Sequence, residues 1–208
     1  IGSGLVGSEM CIRDRDMIMM QNIHFKAPNC WINDPNGFIW YKGQYHLFYQ
    51  CFPYAPQWGR MHWGHAVSKD LVNWEEKGIA LYPTKTDDRS GCFSGSAVEQ
   101  DGTLYLFYTG VNYLEENPED INQCQNDQFL AAQLMISSDD GMTFDNVKRK
   151  KTVIPPITEK QIGSKTNTRD PKVWRGKDAW YLVLGSSVDH KGRLLIIKAM
   201  IFRIGRIS

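Results

Sequence analysis

The stretch Gly43-Gln44-Tyr45-His46-Leu47-Phe48-Tyr49 decides the fold, because the chain repeats its pattern twice. Residues 102–108 (GTLYLFY) repeat it closely, and residues 176–184 (GKDAWYLVL) repeat it more loosely. Each copy is a turn followed by a strand that is dense in aromatic and aliphatic side chains. A unit that recurs in this way indicates an architecture built from repeated modules.

Further strands surround each copy of this unit. A strand precedes each one, at residues 37–41, 95–98 and 171–174, and the first two are followed by a strand and an Asp-containing turn, at residues 66–74 and 135–144. Four short strands in about 50–60 residues are typical of a β-propeller blade, although a β-sandwich with similar hairpins is the alternative. Propellers have ~4–8 blades, so we expect an all-β fold that forms the N-terminal part, about three blades, of a larger propeller.

Composition excludes several classes of partner. The 208 residues carry a net charge of +1, which gives no strong attraction to nucleic acid or anionic membranes. No apolar run approaches the ~18 residues of a membrane helix. The five cysteines have wide, irregular spacings, which argues against a disulfide framework or a zinc site. We therefore expect free thiols and a cytoplasmic location.

The two ends of the chain look unlike the rest. Residues 1–15 (IGSGLVGSEMCIRDR) lack the contiguous apolar core of a secretory signal and resemble a non-native leader, so we assign the domain to residues 16–208. Residues 194–197 predict a strand, whereas residues 198–208 show neither alternation nor a cap. The polar insert at residues 112–128 predicts a surface loop. Residues 127–136 are the one fair amphipathic stretch, and they are short for a helix.

Two acids occupy matching positions in the repeat. Asp34 opens the first unit and Asp170 opens the third, and each is followed directly by proline. Because a propeller gathers its inner strands around one axis, we expect both carboxylates in one pocket, as a candidate pair for glycoside chemistry. Arg169 would favour the ionised form of Asp170. The alternative for Asp34 is a structural role in the turn that Asn-Asp-Pro-Asn-Gly predicts.

Aromatic and polar residues between the two acids suit a sugar site. Gln50, Trp58 and Trp63 follow the first inner hairpin. They suit a sugar because sugars present C–H faces to aromatic rings and hydroxyl groups to amides. The alternative for each Trp is core packing. His62 and His65 have a spacing that suits metal ligands on a helix, but the segment does not resemble a helix. We expect packing roles for both, with no metal and no cofactor.

Eight ordered motifs extend this picture. They are residues 31–38 (WINDPNGF), 49–50 (YQ), 58–59 (WG), 62–66 (HWGHA), 68–74 (SKDLVNW), 93–96 (FSGS), 108–110 (YTG) and 169–171 (RDP). In this order they resemble glycoside hydrolase family 32, the family of invertases, sucrose-6-phosphate hydrolases, levanases and inulinases. The resemblance spans about residues 22–197. It implies a five-bladed propeller followed by a β-sandwich that this sequence does not contain.

The resemblance also implies residue roles. Asp34 would be the nucleophile of a retaining β-fructofuranosidase that hydrolyses sucrose or sucrose 6-phosphate, and Asp170 would stabilise the transition state. The residues that would bind the fructosyl unit of this small carbohydrate substrate are Trp31, Asn33, Gln50, Trp58, Trp63, Phe93, Ser94 and Arg169. No cofactor and no metal are implied.

One expected residue is absent from this sequence. The family's acid/base is a Glu about fifty residues beyond Arg-Asp-Pro, and no Glu follows Glu159 here. We therefore expect these 208 residues alone to be inactive and the full gene product to hydrolyse β-fructosides. The alternatives are an exo-acting levanase or inulinase, a non-catalytic carbohydrate-binding propeller and, more weakly, glycoside hydrolase family 43. The basic run at residues 148–151 (KRKK) predicts a solvated loop rather than a phosphate site.

Overall fold

A computed structural model describes residues 25–26 and 31–199. The proposed leader at residues 1–15, the thiols of Cys11 and Cys30, and residues 200–208 lie outside the described residues. Within them the chain forms thirteen strands and one short 3-10 helix at Thr86–Asp88. The all-β prediction is therefore confirmed.

The strands form successive antiparallel sheets. The first contains β1 (Trp31–Tyr41), β2 (Gln44–Phe52), β3 (His62–Ser68) and β4 (Trp74–Leu81) in that order. The second contains β5 (Gly91–Gln100), β6 (Thr103–Tyr113), β9 (Phe129–Ser138) and β10 (Lys151–Ile154), with a separate hairpin of β7 (Glu116–Asn117) and β8 (Asp120–Cys124) between β6 and β9. The third contains β11 (Arg169–Arg175), β12 (Trp180–Val188) and β13 (Lys191–Ala199). Two four-stranded blades and a three-stranded third one match the predicted repeat.

The second blade is packed on both faces, which explains the apolar run in β6. On β6, Leu106 and Tyr108 belong to the core shared with the first blade, whereas Phe107 belongs to the core shared with β11 and β12. Successive side chains of a strand point to opposite faces, so a strand between two neighbours needs apolar residues at every position. This is the physical origin of the repeated Leu-Phe-Tyr pattern.

Three local expectations differ from the structure. The Asn-Asp-Pro-Asn-Gly stretch lies inside β1, which tolerates it through two breaks in register with β2. The insert at residues 112–128 is not only a loop, because it contains the β7–β8 hairpin. The basic run at residues 148–151 is not wholly solvated, because Lys150 is fully buried while its neighbours are exposed. The strand expected at residues 194–197 is present within β13.

A buried ion pair explains the position of Lys150. Its Nζ lies 2.6 Å from Oδ2 of Asp88, and neither side chain is exposed to solvent. The same oxygen accepts a hydrogen bond from the hydroxyl of Tyr108 at 2.7 Å, and Lys150 also donates to the carbonyl of Tyr82. Because Tyr82 follows β4 and Tyr108 lies on β6, the pair fastens the first blade to the second.

We expect the Lys150→Met substitution to destabilise the chain by about 3–5 kcal/mol, since it leaves the Asp88 carboxylate buried without its charge partner. Lys151→Met is the matched control, because its exposed side chain should contribute less than about 0.5 kcal/mol. Urea unfolding of both variants gives the comparison. Equal stability of the two variants would show that the ion pair does not hold the blades together.

A second buried polar contact joins β2 to β3. Nδ1 of His46 lies 3.0 Å from Nε2 of His65, and the two rings stack. Both side chains are almost completely buried, and the ring of Phe48 covers His65. Burial, with smaller contributions from His46 and Lys77, lowers the pKa of His65 to about 3, and burial also lowers the pKa of His46. Both rings are therefore neutral in the folded chain.

Stability should consequently fall as the pH drops from 6.5 toward 3. In this pH window His65 binds a proton in the unfolded chain but not in the folded chain. This difference alone should lower the free energy of unfolding by about 2 kcal/mol at pH 5. Urea unfolding across this range measures the slope. His65→Phe should be less stable at neutral pH but have a flatter slope. His190→Asn, at an exposed turn, should leave the slope unchanged, and equal slopes in all three proteins would contradict the assignment.

Candidate active site

The three inner strands share one irregularity. Strands β1 and β11 both contact β5. Each strand breaks its register with its neighbour near its start, between Ile32 and Pro35, between Cys92 and Gly95, and between Arg169 and Lys172. Such breaks leave residues unpaired and redirect their side chains. They occur at the candidate site residues of all three blades.

Asp34 is held at the first of these breaks. Its side chain is exposed, and its Oδ2 accepts a hydrogen bond from Oγ of Ser94 at 2.6 Å. Ser94 occupies the matching break on β5. The first and third blades carry an acid at this position, and the second blade carries Ser94. The Ser94 hydroxyl therefore orients the Asp34 carboxylate of the first blade.

Asp170 adopts a backbone conformation that is uncommon for this residue type. Its φ is +61°, in the left-handed region. Its N–H donates to Oγ1 of Thr109 at 2.9 Å, and Thr109 in turn donates to Oε1 of Gln133 at 2.8 Å. Gln133 then donates to the carbonyl of Thr168 at 2.9 Å. A buried network of this kind can maintain a strained residue, so the second blade sets the position of Asp170.

The two carboxylates lie within electrostatic range of each other. Loss of water around Asp170 raises its pKa even though the side chain reaches the surface, the Arg169 guanidinium opposes this rise, and the Asp34 carboxylate adds to it. The two acids are 136 positions apart in the chain. The fold therefore brings the two acids close enough for the charge of Asp34 to act on Asp170.

A chain of side-chain hydrogen bonds runs beneath Asp34. Nε1 of Trp31 donates to Oδ1 of Asn33 at 2.8 Å, and Nδ2 of Asn33 donates to Oε1 of Gln50 at 2.5 Å. Gln50 is buried and donates to the carbonyl of Cys92 at 3.4 Å. These bonds link β1, β2 and β5, so the residue that precedes Asp34 is fixed from both sides.

The aromatic candidates divide into two groups. Trp58 and Phe93 lie toward the surface, with their ring centroids 5.9 Å apart in an edge-on arrangement. Trp63 is fully buried, and its Nε1 donates to the carbonyl of Phe93 at 3.0 Å. The buried Trp63 thus supports the backbone of Phe93. Arg169 is half-buried and donates to Oδ1 of Asn167 at 2.6 Å.

The histidines beside the site have structural partners. His62 is buried and its Nδ1 lies 2.8 Å from the carbonyl of Arg60, while His65 pairs with His46. Among residues 25–26 and 31–199 no three His, Cys, Asp or Glu side chains are grouped as metal ligands would be. In the same residues no helix is long and apolar enough to cross a membrane. Thr109 and Gln133, by contrast, are positioning residues that the sequence did not single out.

With this geometry established, residues 24–201 match the glycosyl hydrolases family 32 N-terminal domain. This chain belongs to glycoside hydrolase family 32. The family assignment agrees with the eight motifs. It also identifies the three sheets as the N-terminal part of the family's β-propeller.

Curated relatives have similar sequences but are longer. The sucrose-6-phosphate hydrolase of Zymomonas mobilis is 44% identical over 164 residues, which are 77% of this chain and 29% of the relative. The sucrose-6-phosphate hydrolase of Escherichia coli is 39% identical over 88% of this chain and 35% of its own length. The chain therefore spans about a third of the relatives it matches.

Solved structures show the same fold. The Bombyx mori GH32 β-fructofuranosidase BmSUC1 matches with a TM-score of 0.73 at 36% identity. The match covers 92% of this chain and 38% of the BmSUC1 chain. The sucrose-6-phosphate hydrolase of Lactobacillus gasseri has a TM-score of 0.75 at 27% identity and covers 92% and 36%.

If the two carboxylates share a site, charge changes next to Asp170 should move its pKa in opposite directions. Asp34→Asn should lower the pKa of Asp170 by removing a negative neighbour, and Arg169→Gln should raise it by removing a positive one. Carboxyl chemical shifts followed by NMR against pH measure both effects. Asp178→Asn, in the turn at the far end of β11, is the control and should have no effect. If Asp34→Asn leaves the pKa of Asp170 unchanged, the two acids lie in separate environments.

Proposed function

We propose that the protein to which this chain belongs is a retaining β-fructofuranosidase that hydrolyses sucrose or sucrose 6-phosphate and releases fructose. The observation that supports this most directly is the convergence of Asp34 and Asp170 at matching register breaks of β1 and β11. The names of the similar proteins, sucrose-6-phosphate hydrolases and β-fructofuranosidases, support the same substrate class.

In the proposed reaction Asp34 is the nucleophile. Its carboxylate, oriented by Ser94, attacks the anomeric carbon of the fructosyl unit, and the bond to the leaving sugar breaks. A general acid protonates the leaving oxygen, and the same group later removes a proton from the water that releases fructose. Retention of configuration places that third carboxyl group ~5–5.5 Å from the nucleophile.

Asp170 has a different role in this proposal. Its carboxylate accepts hydrogen bonds from fructosyl hydroxyls and stabilises the positive charge that develops on the sugar ring. Its position depends on Thr109, because the Thr109 hydroxyl holds the backbone N–H of Asp170 in place. Trp31, Asn33, Gln50, Trp58, Phe93 and Arg169 would surround the fructosyl unit, and Trp63 would support Phe93 from behind.

Two features of the proposal concern context rather than chemistry. Among the described residues, Cys51, Cys92 and Cys124 form no disulfide, which suits a reducing compartment, and we retain the cytoplasm as the proposed location. An exo-acting fructan hydrolase remains the second candidate, because an exo-inulinase of Aspergillus awamori has a TM-score of 0.65 at 32% identity, over 86% of this chain and 37% of its own.

The proposal can be tested in a chimera in which residues 31–199 replace the matching segment of the Escherichia coli relative. The chimera should release fructose from sucrose, and Asp34→Asn should lower kcat at least ~10³-fold because it removes the nucleophile. The 208-residue chain alone should show no hydrolysis, since a missing general acid costs about 10²–10⁴-fold. Fructose release can be followed enzymatically, and NMR reports the anomer that forms first.

Asp101→Asn serves as the control for the chimera, because Asp101 lies in the exposed β5–β6 turn at the opposite end of the blade. A folded chimera that binds fructose but hydrolyses neither sucrose nor sucrose 6-phosphate would favour the carbohydrate-binding propeller. Faster hydrolysis of inulin than of sucrose would favour the fructan hydrolase.

A further inference from the structure

A pocket of about 570 Å³ lies beside the Asp34 site, against the β7–β8 hairpin. Trp58 and Phe93 form one wall, and Tyr113 and Phe129 contribute further rings. Gln57 and Gln123 add amide groups. Aromatic faces with a few polar groups are typical of a site for a small polar ligand such as a sugar.

The pocket adjoins the candidate nucleophile. Phe93 lines it, and the next residue, Ser94, hydrogen-bonds the Asp34 carboxylate at 2.6 Å. Trp58, in the connection between β2 and β3, contacts the ring of Phe93 edge-on. A group that is linked to a fructosyl unit at Asp34 can therefore extend past Phe93 into the pocket.

The hairpin that closes the pocket is firmly attached to the first blade. The Arg60 guanidinium binds Oε1 of Glu116 at 2.7 Å and the carbonyl of Ile121 at 2.9 Å. The Tyr113 hydroxyl donates to the carbonyl of Asn122 at 3.1 Å. The Arg60 contacts cross between the first two blades, whereas the Tyr113 bond holds the hairpin to β6.

The charged residues that line the pocket are both acidic. Residues 113–129 contain five acidic residues and no Lys, Arg or His. Asp120 and Asp127 line the pocket, and hydrogen bonds from Asn122 hold the pKa of Asp120 below its usual range, so it stays ionised. Arg60 is already paired with Glu116. A phosphate group that entered here would meet carboxylates without a free cation among the lining residues, which is an unfavourable arrangement.

We propose that this hairpin pocket binds the neutral sugar unit attached to the fructosyl group and discriminates against a phosphorylated one. The inference rests on the proposed function and narrows it, because it favours sucrose over sucrose 6-phosphate. The rings supply packing for the sugar, and the carboxylates of Asp120 and Asp127 supply the selectivity.

Cys124 lines the pocket as a partly exposed free thiol and can report on it in the full 208-residue chain. Its thiolate attacks the sulfenyl sulfur of a methanethiosulfonate, forms a mixed disulfide and expels methanesulfinate. Peptide mass spectrometry reads Cys124 separately from the other cysteines. At low ionic strength the cationic reagent should react at least about tenfold faster than the anionic one, and added salt should narrow the difference.

Asp127→Asn removes one charge from the pocket with little backbone cost. Asp127 has a φ of +53°, a conformation that asparagine also adopts readily. The variant should therefore fold, and the ratio of the Cys124 reaction rates with the cationic and anionic reagents should decrease. Asp101→Asn is the matched control, because Asp101 has a φ of +52° but lies in the β5–β6 turn away from the pocket. Equal rates for the two charged reagents would overturn the electrostatic argument.

Protection of Cys124 by sugars then tests binding. Sucrose should slow the reaction with the neutral reagent, sucrose 6-phosphate at the same concentration should slow it less, and Asp127→Asn should reduce that gap. Protection by neither sugar, or better protection by sucrose 6-phosphate, would overturn the proposal. The result is separable from catalysis, since hydrolysis by the chimera without protection refutes only the pocket, and protection without hydrolysis refutes only the hydrolase.

Discussion

The site depends on one constraint, the break in strand register at the start of each inner strand. A regular ladder would turn Asp34 and Asp170 into ordinary strand residues, whereas the breaks free them from pairing. The lost backbone pairing is replaced by side-chain bonds from the neighbouring blade. Ser94 holds the Asp34 carboxylate, and Thr109 holds the backbone of Asp170. Each acid is therefore positioned by β5 or β6 of the second blade.

The largely apolar junction between the first two blades also contains a buried ion pair. The Asp88–Lys150 pair is fully buried and is surrounded by donors and acceptors from several elements. A buried pair of this kind adds little net stability over apolar packing, but either member alone is costly. Through these contacts the pair joins the segment after β4, the 3-10 helix and β6.

Charge divides the surface beside the nucleophile into two parts. Around Asp170 the Arg169 guanidinium offsets the two acids, whereas the charged residues that line the hairpin pocket, Asp120 and Asp127, are both acidic. A fructosyl unit and its leaving group would thus meet different electrostatic environments. Phe93 lines the pocket and Ser94 hydrogen-bonds the Asp34 carboxylate, so one short segment of β5 contacts both environments.

The sequence by itself determined the repeated strand unit, the family and the two acids, because alternation, turn residues and short motifs are local properties of the chain. It could not reveal that Asn-Asp-Pro-Asn-Gly continues a strand or that Lys150 and Trp63 are buried, since each depends on a neighbouring blade. The contacts of Thr109 with Asp170 and Gln133, and the hairpin pocket, were likewise decided only by the tertiary structure. Their partners come from distant parts of the chain, and burial and charge at a point in space are sums over all the elements that meet there.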